Sequence, residues 1–311
     1  MSKSPFFSII TPTYNRAGQL AVVIQSLQLQ EFSDFEHIIV DDGSEDNTND
    51  IVKSFMETDS RIIYLYQENQ GRSTARNLGI HHAKGVFICF LDSDDAWNKE
   101  YLSNLKKAVA FHDSSFFATR MVWVSCHSGK KTPRPIESFN FKNLQRIIEQ
   151  EVGMNVCVRS NLFSKNLFNA SLSMNEDYEL WTRIICQNSL EVVAVPNSEY
   201  YATTEEPFGR LESNSIDGMI HAQRIMQQNP CVQSAIPTDF WINRAKGFRL
   251  NKARALKLEQ KHWSYFFSST LFALKHPQEK VVPSLLLDAV YGLPGGKLLR
   301  WAVKTAKRTS R

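Results

Sequence analysis

The sequence predicts an α/β fold, with a mostly parallel central sheet flanked by helices and a helical appendage at its C-terminus. Three observations predict it. From Phe6 to Leu91, short apolar runs alternate with segments of helical period, the pattern of strands joined by right-handed crossovers. Polar clusters follow three of those runs, at the strand ends where parallel sheets bind ligands. Near the C-terminus, Trp263 to Leu274 and Val281 to Tyr291 are aromatic and apolar stretches separated by Pro277, suited to packed helices.

Each element has its own signal. Phe6-Phe7-Ser8-Ile9-Ile10 reads as the first strand, and Leu20, Val23, Ile24 and Leu27 then recur on one face of a helix. His37-Ile38-Ile39-Val40 is the second strand, and Asp41-Asp42-Gly43-Ser44 the turn after it. Ile51, Val52, Phe55 and Met56 mark a helix, and Arg61 to Tyr66 a third strand. Ser73 to Ala83 is helical in pattern, and Val86 to Leu91 is a fourth strand, apolar throughout and therefore buried. Beyond it a helix is expected from Asn98 to His112, a strand from Phe116 to Val124 and a helix from Phe141 to Gln150. Ser173, with Glu176 three residues later, has the pattern of a capping box that opens another helix. The expected organisation is a core domain over residues 1–205, in halves 1–97 and 98–205, then an extension over residues 206–311.

Asp92-Ser93-Asp94-Asp95 is the cluster with most chemistry in it. Three carboxylates within four positions at the end of a buried strand resist being ionised together. A divalent cation relieves that repulsion, and hard oxygen ligands suit magnesium or manganese. The cation would in turn neutralise a phosphate-bearing substrate. Taken alone, the same residues also read as a solvated turn capping the next helix. No GxGxxG follows the first strand and no GxxxxGK[ST] occurs, so phosphates would be held by metal and side chains.

Four segments decide between these readings. Ser8-Ile-Ile-Thr-Pro-Thr-Tyr-Asn-Arg16, Ile39-Val-Asp-Asp-Gly-Ser44, Asn69-Gln-Gly-Arg-Ser-Thr-Ala-Arg-Asn77 and Leu91-Asp-Ser-Asp-Asp95, in order and spacing, closely resemble the motifs of family 2 glycosyltransferases. The resemblance implies the Rossmann-like GT-A fold and transfer of a sugar from a nucleotide-diphosphate donor with inversion at the anomeric carbon. It places Thr11, Thr13 and Tyr14 in a nucleoside pocket, with Asp42 accepting a hydrogen bond from the base. It assigns Asp92 and Ser93 to the donor and Asp94 to direct coordination of Mn2+ or Mg2+. Asp95 is either an outer contact of that metal or a helix cap, and Asp41 reads as a solvated turn carboxylate. Arg76 belongs near the same edge, where its guanidinium suits phosphate; its alternative is an ion pair to Asp42 or Asp92 with no ligand contact.

Ser173-Met-Asn-Glu-Asp-Tyr-Glu-Leu-Trp-Thr-Arg183 resembles the family's EDxxLWxR helix. Asp177, Trp181 and Ile184 share one helix face, which turns Asp177 inward among apolar neighbours. The helix dipole partly stabilises a carboxylate in the first turn. By resemblance Asp177 is the general base that takes the acceptor's proton. One departure is visible: many relatives carry a histidine after this helix, whereas Glu199 to Ser213 contains none. Arg210 or Glu205 could take the place of that histidine, in a loop through Pro207 and Gly209 that suits a lid.

Composition narrows the class further. A chain of 311 residues that is 42% hydrophobic can bury a sizeable core. Five cysteines, odd in number and without CxxC spacing, predict reduced thiols in a cytoplasmic enzyme. The first strand begins almost at once, leaving no room for a signal peptide, and no apolar run reaches transmembrane length. The net charge of +4 matters through its location. After Asp288 there is no acid, and Lys297, Arg300, Lys304, Lys307, Arg308 and Arg311 share one projected helical face opposite Leu298, Leu299, Ala302, Val303 and Ala306. Such a tail suits an anionic membrane surface, peripheral at the inner face; otherwise it docks on the body with solvated lysines. Nucleic acid is disfavoured, because no reading module accompanies the basic cluster.

The expected partners are thus a nucleotide-diphosphate sugar, UDP favoured by family prevalence, and a saccharide or lipid-linked saccharide of a surface polysaccharide. Two alternatives remain at this point. A haloacid dehalogenase-like phosphatase would use Asp92 as nucleophile, although its DxD belongs in the first strand rather than the fourth. A non-catalytic nucleotide-sugar-binding homologue would account for the missing histidine.

Overall fold

Parallel strands with covered faces organise the N-terminal half of the sheet. In this computed structural model the described residues are 4–204, 213–258 and, beyond them, Ser268. The expected lid loop through Glu205, Pro207, Gly209 and Arg210, the apolar stretches after residue 262 and the basic tail lie outside them. Strand β1 (Phe7–Thr13), helix α1 (Ala17–Gln28), β2 (Phe35–Asp41), α2 (Thr48–Met56), β3 (Ile62–Tyr66), α3 (Arg72–His82) and β4 (Phe87–Phe90) alternate as the periodicity predicts. β1 lies parallel to β2 and β4, and β2 parallel to β3. Every residue of β1 and β2 is buried, the signature of strands covered on both faces. The buried residues of α1 are Leu20, Val23, Ile24 and Leu27, the predicted stripe.

The second half is mixed. It comprises β5 (Ala96–Trp97), α4 (Tyr101–Phe111), β6 (Phe116–Ser125), β7 (Lys131–Pro133), β8 (Phe139–Asn140), α5 (Arg146–Glu149), β9 (Val156–Arg159), α6 (Glu176–Gln187) and β10 (Glu191–Thr204). The strand order is β3-β2-β1-β4-β9-β6-β10-β5, with β7 on β6 and β8 on β10. β9 runs antiparallel to both β4 and β6, whereas β10 runs parallel to β6. The helix expected over 141–150 is reduced to a 3-10 turn (Phe141–Asn143) and the single turn α5. Leu144, Ile147 and Ile148 still face inward, but the chain leaves helical geometry at Glu151, whose φ is 54°.

Trp181 fixes α6 in this frame. Its fully buried indole is surrounded by Phe90, Phe116, Phe163 and Phe168 at ring-centroid separations of 5.6–6.3 Å. Arg183, two residues on, pairs with Glu179 at 2.8 Å and donates to the Leu167 carbonyl, clamping the preceding loop. The Leu-Trp-x-Arg part of the motif is therefore the anchor that holds its acidic start in place.

Cysteine usage differs from the expectation of five reduced thiols. Cys186, in the last turn of α6, is bonded to Cys231 at the start of the short helix α8 (Pro230–Ala235), 45 residues away in sequence. Scattered spacing carried no information about this pair, because tertiary packing alone brings the Cα atoms to 6.0 Å. Such bonds persist in oxidising compartments and are uncommon in the cytosol. Cross-links closing loops of this length contribute about 2–4 kcal/mol. Reduction should accordingly lower Tm by roughly 5–10 °C in a thermal melt, and a Cys231→Ser variant should melt low with or without reductant. Cys89 and Cys157 face each other across β4 and β9 as buried thiols.

The described residues fall into two compact units, within Met1–Gly209 plus Ile225–Ile236 and within Arg210–Arg224 plus Pro237–Arg311. The second contains most of α7 (Ser213–Gln228) and α9 (Thr238–Leu258). Its core is Ile216, Phe248 and Ala255, with Met219 and Ile220 against them. Asp217 pairs with Lys252 on its surface. Among the described residues no helix is long and apolar enough to cross a membrane.

Candidate active site

The parallel register brings the ends of β1, β2 and β4 to one edge. Asp42 follows β2, and its backbone N–H donates to the Thr13 carbonyl at the end of β1. Its buried carboxylate accepts from Gln67 Nε2 at 2.6 Å and from the N–H groups of Gln70 and Gly71 at 2.9 and 2.8 Å. Gly71 has φ 89°, a conformation open to glycine at little cost, and it delivers the chain into α3. Asp42 thus shapes the loop that launches α3.

Asp41 corrects the expectation of a solvated turn carboxylate. It is 1% exposed and accepts from the Ser44 N–H at 2.8 Å and the Tyr64 hydroxyl at 2.6 Å. Burial and that carboxylate push the Tyr64 hydroxyl above its usual range. The signal available was Tyr64 on the neighbouring strand, whose hydroxyl needed a partner.

The β1 residues divide. Thr11 is fully buried with its hydroxyl 3.0 Å from His37 Nε2, so it faces the strand interior and not an open nucleoside pocket. Burial lowers His37 to about 3, which leaves its imidazole neutral. Thr13 is also buried, but its hydroxyl has no partner among the described residues. Tyr14 is exposed. Asn15 takes φ 51° and locks the loop after β1 to the loop after β2, donating to Ser44 Oγ and accepting from the Glu45 N–H, both at 2.8 Å.

The acidic turn after β4 is held from both sides. Asp92 pairs with Arg76 Nη2 at 2.6 Å, and its N–H donates to the Tyr200 hydroxyl at 3.1 Å. Burial, with Asp95 and Asp92 close by, raises the Tyr200 hydroxyl well above its usual range. Ser93 is buried between the two acids. Asp94 remains 39% exposed and pairs with Arg16 Nη1 at 2.6 Å. Arg16 ends the first motif, and the one sign in the sequence of its pairing with Asp94 is its position beside a turn at the same sheet edge. Among the described residues no group of three His, Cys, Asp or Glu side chains could hold a metal by itself. An exposed carboxylate already facing a cationic guanidinium fits the other arrangement, in which one or two carboxylates and substrate phosphates share the ion.

Arg76 joins the two halves of the site. It is 2% exposed, pairing with Asp92 through Nη2 and with Glu176 through Nη1 at 2.9 Å, over the Phe168 ring. The ion pair to Asp92 is formed, and none to Asp42 is seen among the described residues. Glu176 corrects the capping-box expectation: α6 starts at Glu176 after a left-handed Asn175, and the carboxylate reaches Arg76 and Arg72 of α3. Ser173 contributes its carbonyl, which accepts from Arg72 Nη2 at 2.7 Å. Removing a buried charge's partner costs about 3–5 kcal/mol. Glu176→Leu is therefore expected to lower Tm by roughly 6–15 °C, a larger loss than Arg16→Leu on the exposed Arg16–Asp94 pair; equal melting temperatures would refute the bridge.

Asp177 sits next along α6, partly buried, accepting from the Tyr178 N–H at 2.8 Å. Burial and the adjacent Glu176 charge push its carboxyl up to about 7, against the pull of Arg76 and Arg72. Gly153 lies directly against it: a Cβ there would come within 2.9 Å of Asp177 Oδ2. The Trp181 indole N–H bonds the Gly153 carbonyl at 2.8 Å, and the Gly153 N–H bonds Asn155 Oδ1 at 2.8 Å. The turn before β9 is thus pinned against the base candidate by the same tryptophan that anchors its helix.

Comparison with known proteins gives the fold and the family. The chain is 41% identical over 99 residues to the putative teichuronic acid biosynthesis glycosyltransferase TuaG of Bacillus subtilis, covering 32% of this chain and 39% of that one. It superposes on S. aureus TarS 1-349 in complex with UDP-GlcNAc with a TM-score of 0.61 at 24% identity, covering 93% of this chain and 82% of that one. Mannosyltransferase PcManGT from Pyrobaculum calidifontis, in complex with GDP-Man and Mn2+, gives 0.60 at 15% identity, over 93% and 86%. At these identities the two structures establish the GT-A fold. The chain spans 31%, 30% and 15% of the length of other curated glycosyltransferases that it matches. Residues 8–170, which hold all four motifs before α6, match the family described as glycosyl transferase family 2, and the chain belongs to that family.

Proposed function

We propose that this chain transfers a sugar from a nucleotide-diphosphate donor, UDP favoured, to a saccharide hydroxyl with inversion, in the assembly of a surface polysaccharide. The observation that carries the reading is the Arg76 bridge, which ties the carboxylate after β4 to the acidic start of α6. Donor motif and base candidate therefore share one edge. The sugar nucleotides named with TarS and PcManGT support the donor class, and TuaG supports the polysaccharide.

In this reading Thr13, Tyr14 and Asp42 receive the nucleoside, and Asp92 with Ser93 orients the ribose and diphosphate. Asp94 would hold a divalent cation, in exchange for its pairing with Arg16. That cation, when bound, offsets charge on the departing nucleotide. Asp177 takes the proton of the acceptor hydroxyl as its oxygen attacks the anomeric carbon from the face opposite the phosphate. The sugar–phosphate bond breaks with its electron pair leaving on the diphosphate, and one displacement inverts the centre. Arg76 keeps Asp92 and Glu176 in register throughout. The phosphatase alternative needs Asp92 as an open nucleophile; here it follows the fourth strand and is held by Arg76.

Residues 1–205 are assigned to transfer and 206–311 to the extension, with the tail after Pro294 as a membrane tether. Each basic side chain near an anionic bilayer contributes about 1 kcal/mol. Truncation before Gly295 should reduce co-sedimentation with anionic vesicles and leave transfer to a soluble acceptor. Equal co-sedimentation of both forms would refute the tether. The activity itself is tested by screening nucleotide sugars for donor hydrolysis, with thermal shift in manganese. Absence of both for every donor would sink the reading.

A further inference from the structure

Asp177 has a second neighbourhood that donor chemistry does not use. Gly153, packed against it, lies two residues from Glu151, and the Gly153 N–H also closes on the Glu151 carbonyl at 3.0 Å. Glu151 has φ 54° without being glycine, a conformation that persists only when its surroundings enforce it. Two side chains hold its carboxylate. Arg134 Nη2 donates to Glu151 Oε1 at 2.5 Å, and the Trp123 indole N–H donates to Oε2 at 2.9 Å. Both carboxylate oxygens are engaged, so the carboxylate acts as a support that aims Trp123.

The Trp123 side chain is only partly buried, and its one polar atom is already bonded. What remains accessible is apolar ring. From Trp123, β6 runs into a turn at Gly129 and then β7, which returns alongside it. Between Ser114 and Ile136 there is no Asp or Glu, whereas Arg120, Lys130, Lys131 and Arg134 are present. Glu151 takes Arg134, and Glu199 lies 3.8 Å from Arg120. Lys130 and Lys131 are exposed, and neither has a carboxylate partner among the described residues; Lys131 Nζ stands 4.1 Å over the Tyr201 ring.

We propose that Trp123 and the Lys130–Lys131 hairpin form an acceptor subsite beside Asp177, for a glycan chain bearing carboxylate or phosphate groups. The proposal rests on the transfer reading above, whose acceptor it specifies. The indole face takes the apolar C–H face of a sugar ring, and the two ammonium groups take its anionic substituents as point charges. From Glu151 to Gly153 the chain spans at most about 7 Å, so a chain resting on Trp123 is within a short oligosaccharide's reach of the base.

Calorimetry tests this with three probes, tetragalacturonate, a ribitol-phosphate tetramer and neutral chitotetraose, each at low and moderate salt, with UDP titrated separately. The wild-type protein is expected to bind one anionic probe roughly tenfold more tightly than chitotetraose, with affinity falling as salt rises. Which probe responds separates carboxylate from phosphate recognition. Trp123→Ala should weaken that probe by roughly tenfold or more, and Lys130→Gln with Lys131→Gln should remove both the preference and the salt dependence. UDP affinity should stay unchanged in these variants. Failure of every probe, equal binding of chitotetraose, or an unchanged anionic preference in the double lysine variant overturns the subsite. The lysine variant, on an exposed hairpin, decides the matter if Trp123→Ala melts early. A wild-type protein that binds an anionic probe but neither binds UDP nor hydrolyses any sugar nucleotide would instead overturn the transfer reading.

Discussion

Asp177→Asn is expected to keep donor affinity while turnover falls by roughly 100-fold or more, the loss that follows removal of a positioned general base. The amide preserves the size of the side chain and its contact with Gly153, so the loss reports on proton transfer. The wild-type enzyme should also show an acid limb. With Asp177 pushed up to about 7, the carboxylate form, which alone accepts a proton, declines as pH falls below that value. The rate should rise with pH to a plateau above it, and the limb should vanish in Asp177→Asn. Stability carries the opposite sign. A carboxyl raised from 3.8 to about 7 disfavours its own ionisation in the folded state, so stability is lost as pH rises through that window. Asp177→Asn should therefore melt above wild type in alkaline buffer and lose that advantage in acid. Near wild-type transfer by the variant would make Asp177 a packing residue.

Asp94→Asn should abolish metal-dependent donor binding and transfer while leaving Tm nearly unchanged. The reason is that Asp94 sits half-exposed, and its partner Arg16 is exposed as well. Exposed pairs contribute about 0–1 kcal/mol, so the fold hardly registers the loss, whereas a cation sharing one protein carboxylate loses its anchor. Calorimetry with UDP and manganese checks this, and undiminished metal-dependent affinity would overturn the assignment. Asp92→Asn differs: it leaves buried Arg76 with a weaker partner and should cost stability too.

What could be read from the chain was what depends on local period. The stripe Leu20, Val23, Ile24 and Leu27 is the buried face of α1, and Phe87–Phe90 of the apolar run to Leu91 is the buried strand β4, with Val86 exposed before it. The carboxylates after β2 and β4 lie at one sheet edge because parallel strands deliver their ends to one side. Less legible was everything set by partners distant in sequence. β9 is four residues long, too short for a periodic signal, and its place between β4 and β6 is a tertiary fact. Asp41 reads as solvated until Tyr64 is seen beside it, and Ser173-x-x-Glu176 reads as a cap until Arg72 and Arg76 claim the glutamate. Cys186 and Cys231 illustrate the same limit, since spacing along the chain says nothing about packing of α6 on α8. Gly153 shows its purpose only once Asp177 is built against it.

The antiparallel insertion of β9 has a consequence for how the protein can be made. β1 to β4 complete their mutual pairing by residue 90, yet the second edge of β4 is closed only by Val156–Arg159. While the ribosome synthesises the intervening stretch, Phe87-Ile88-Cys89-Phe90 stands as an apolar strand with an unpaired edge, the kind that recruits other chains. The N-terminal half should thus be a poor stand-alone fragment despite its regular topology. Chains stopped before residue 156 should aggregate, and those extended past residue 204 should not, a difference readable by solubility of a nested truncation series during cell-free translation.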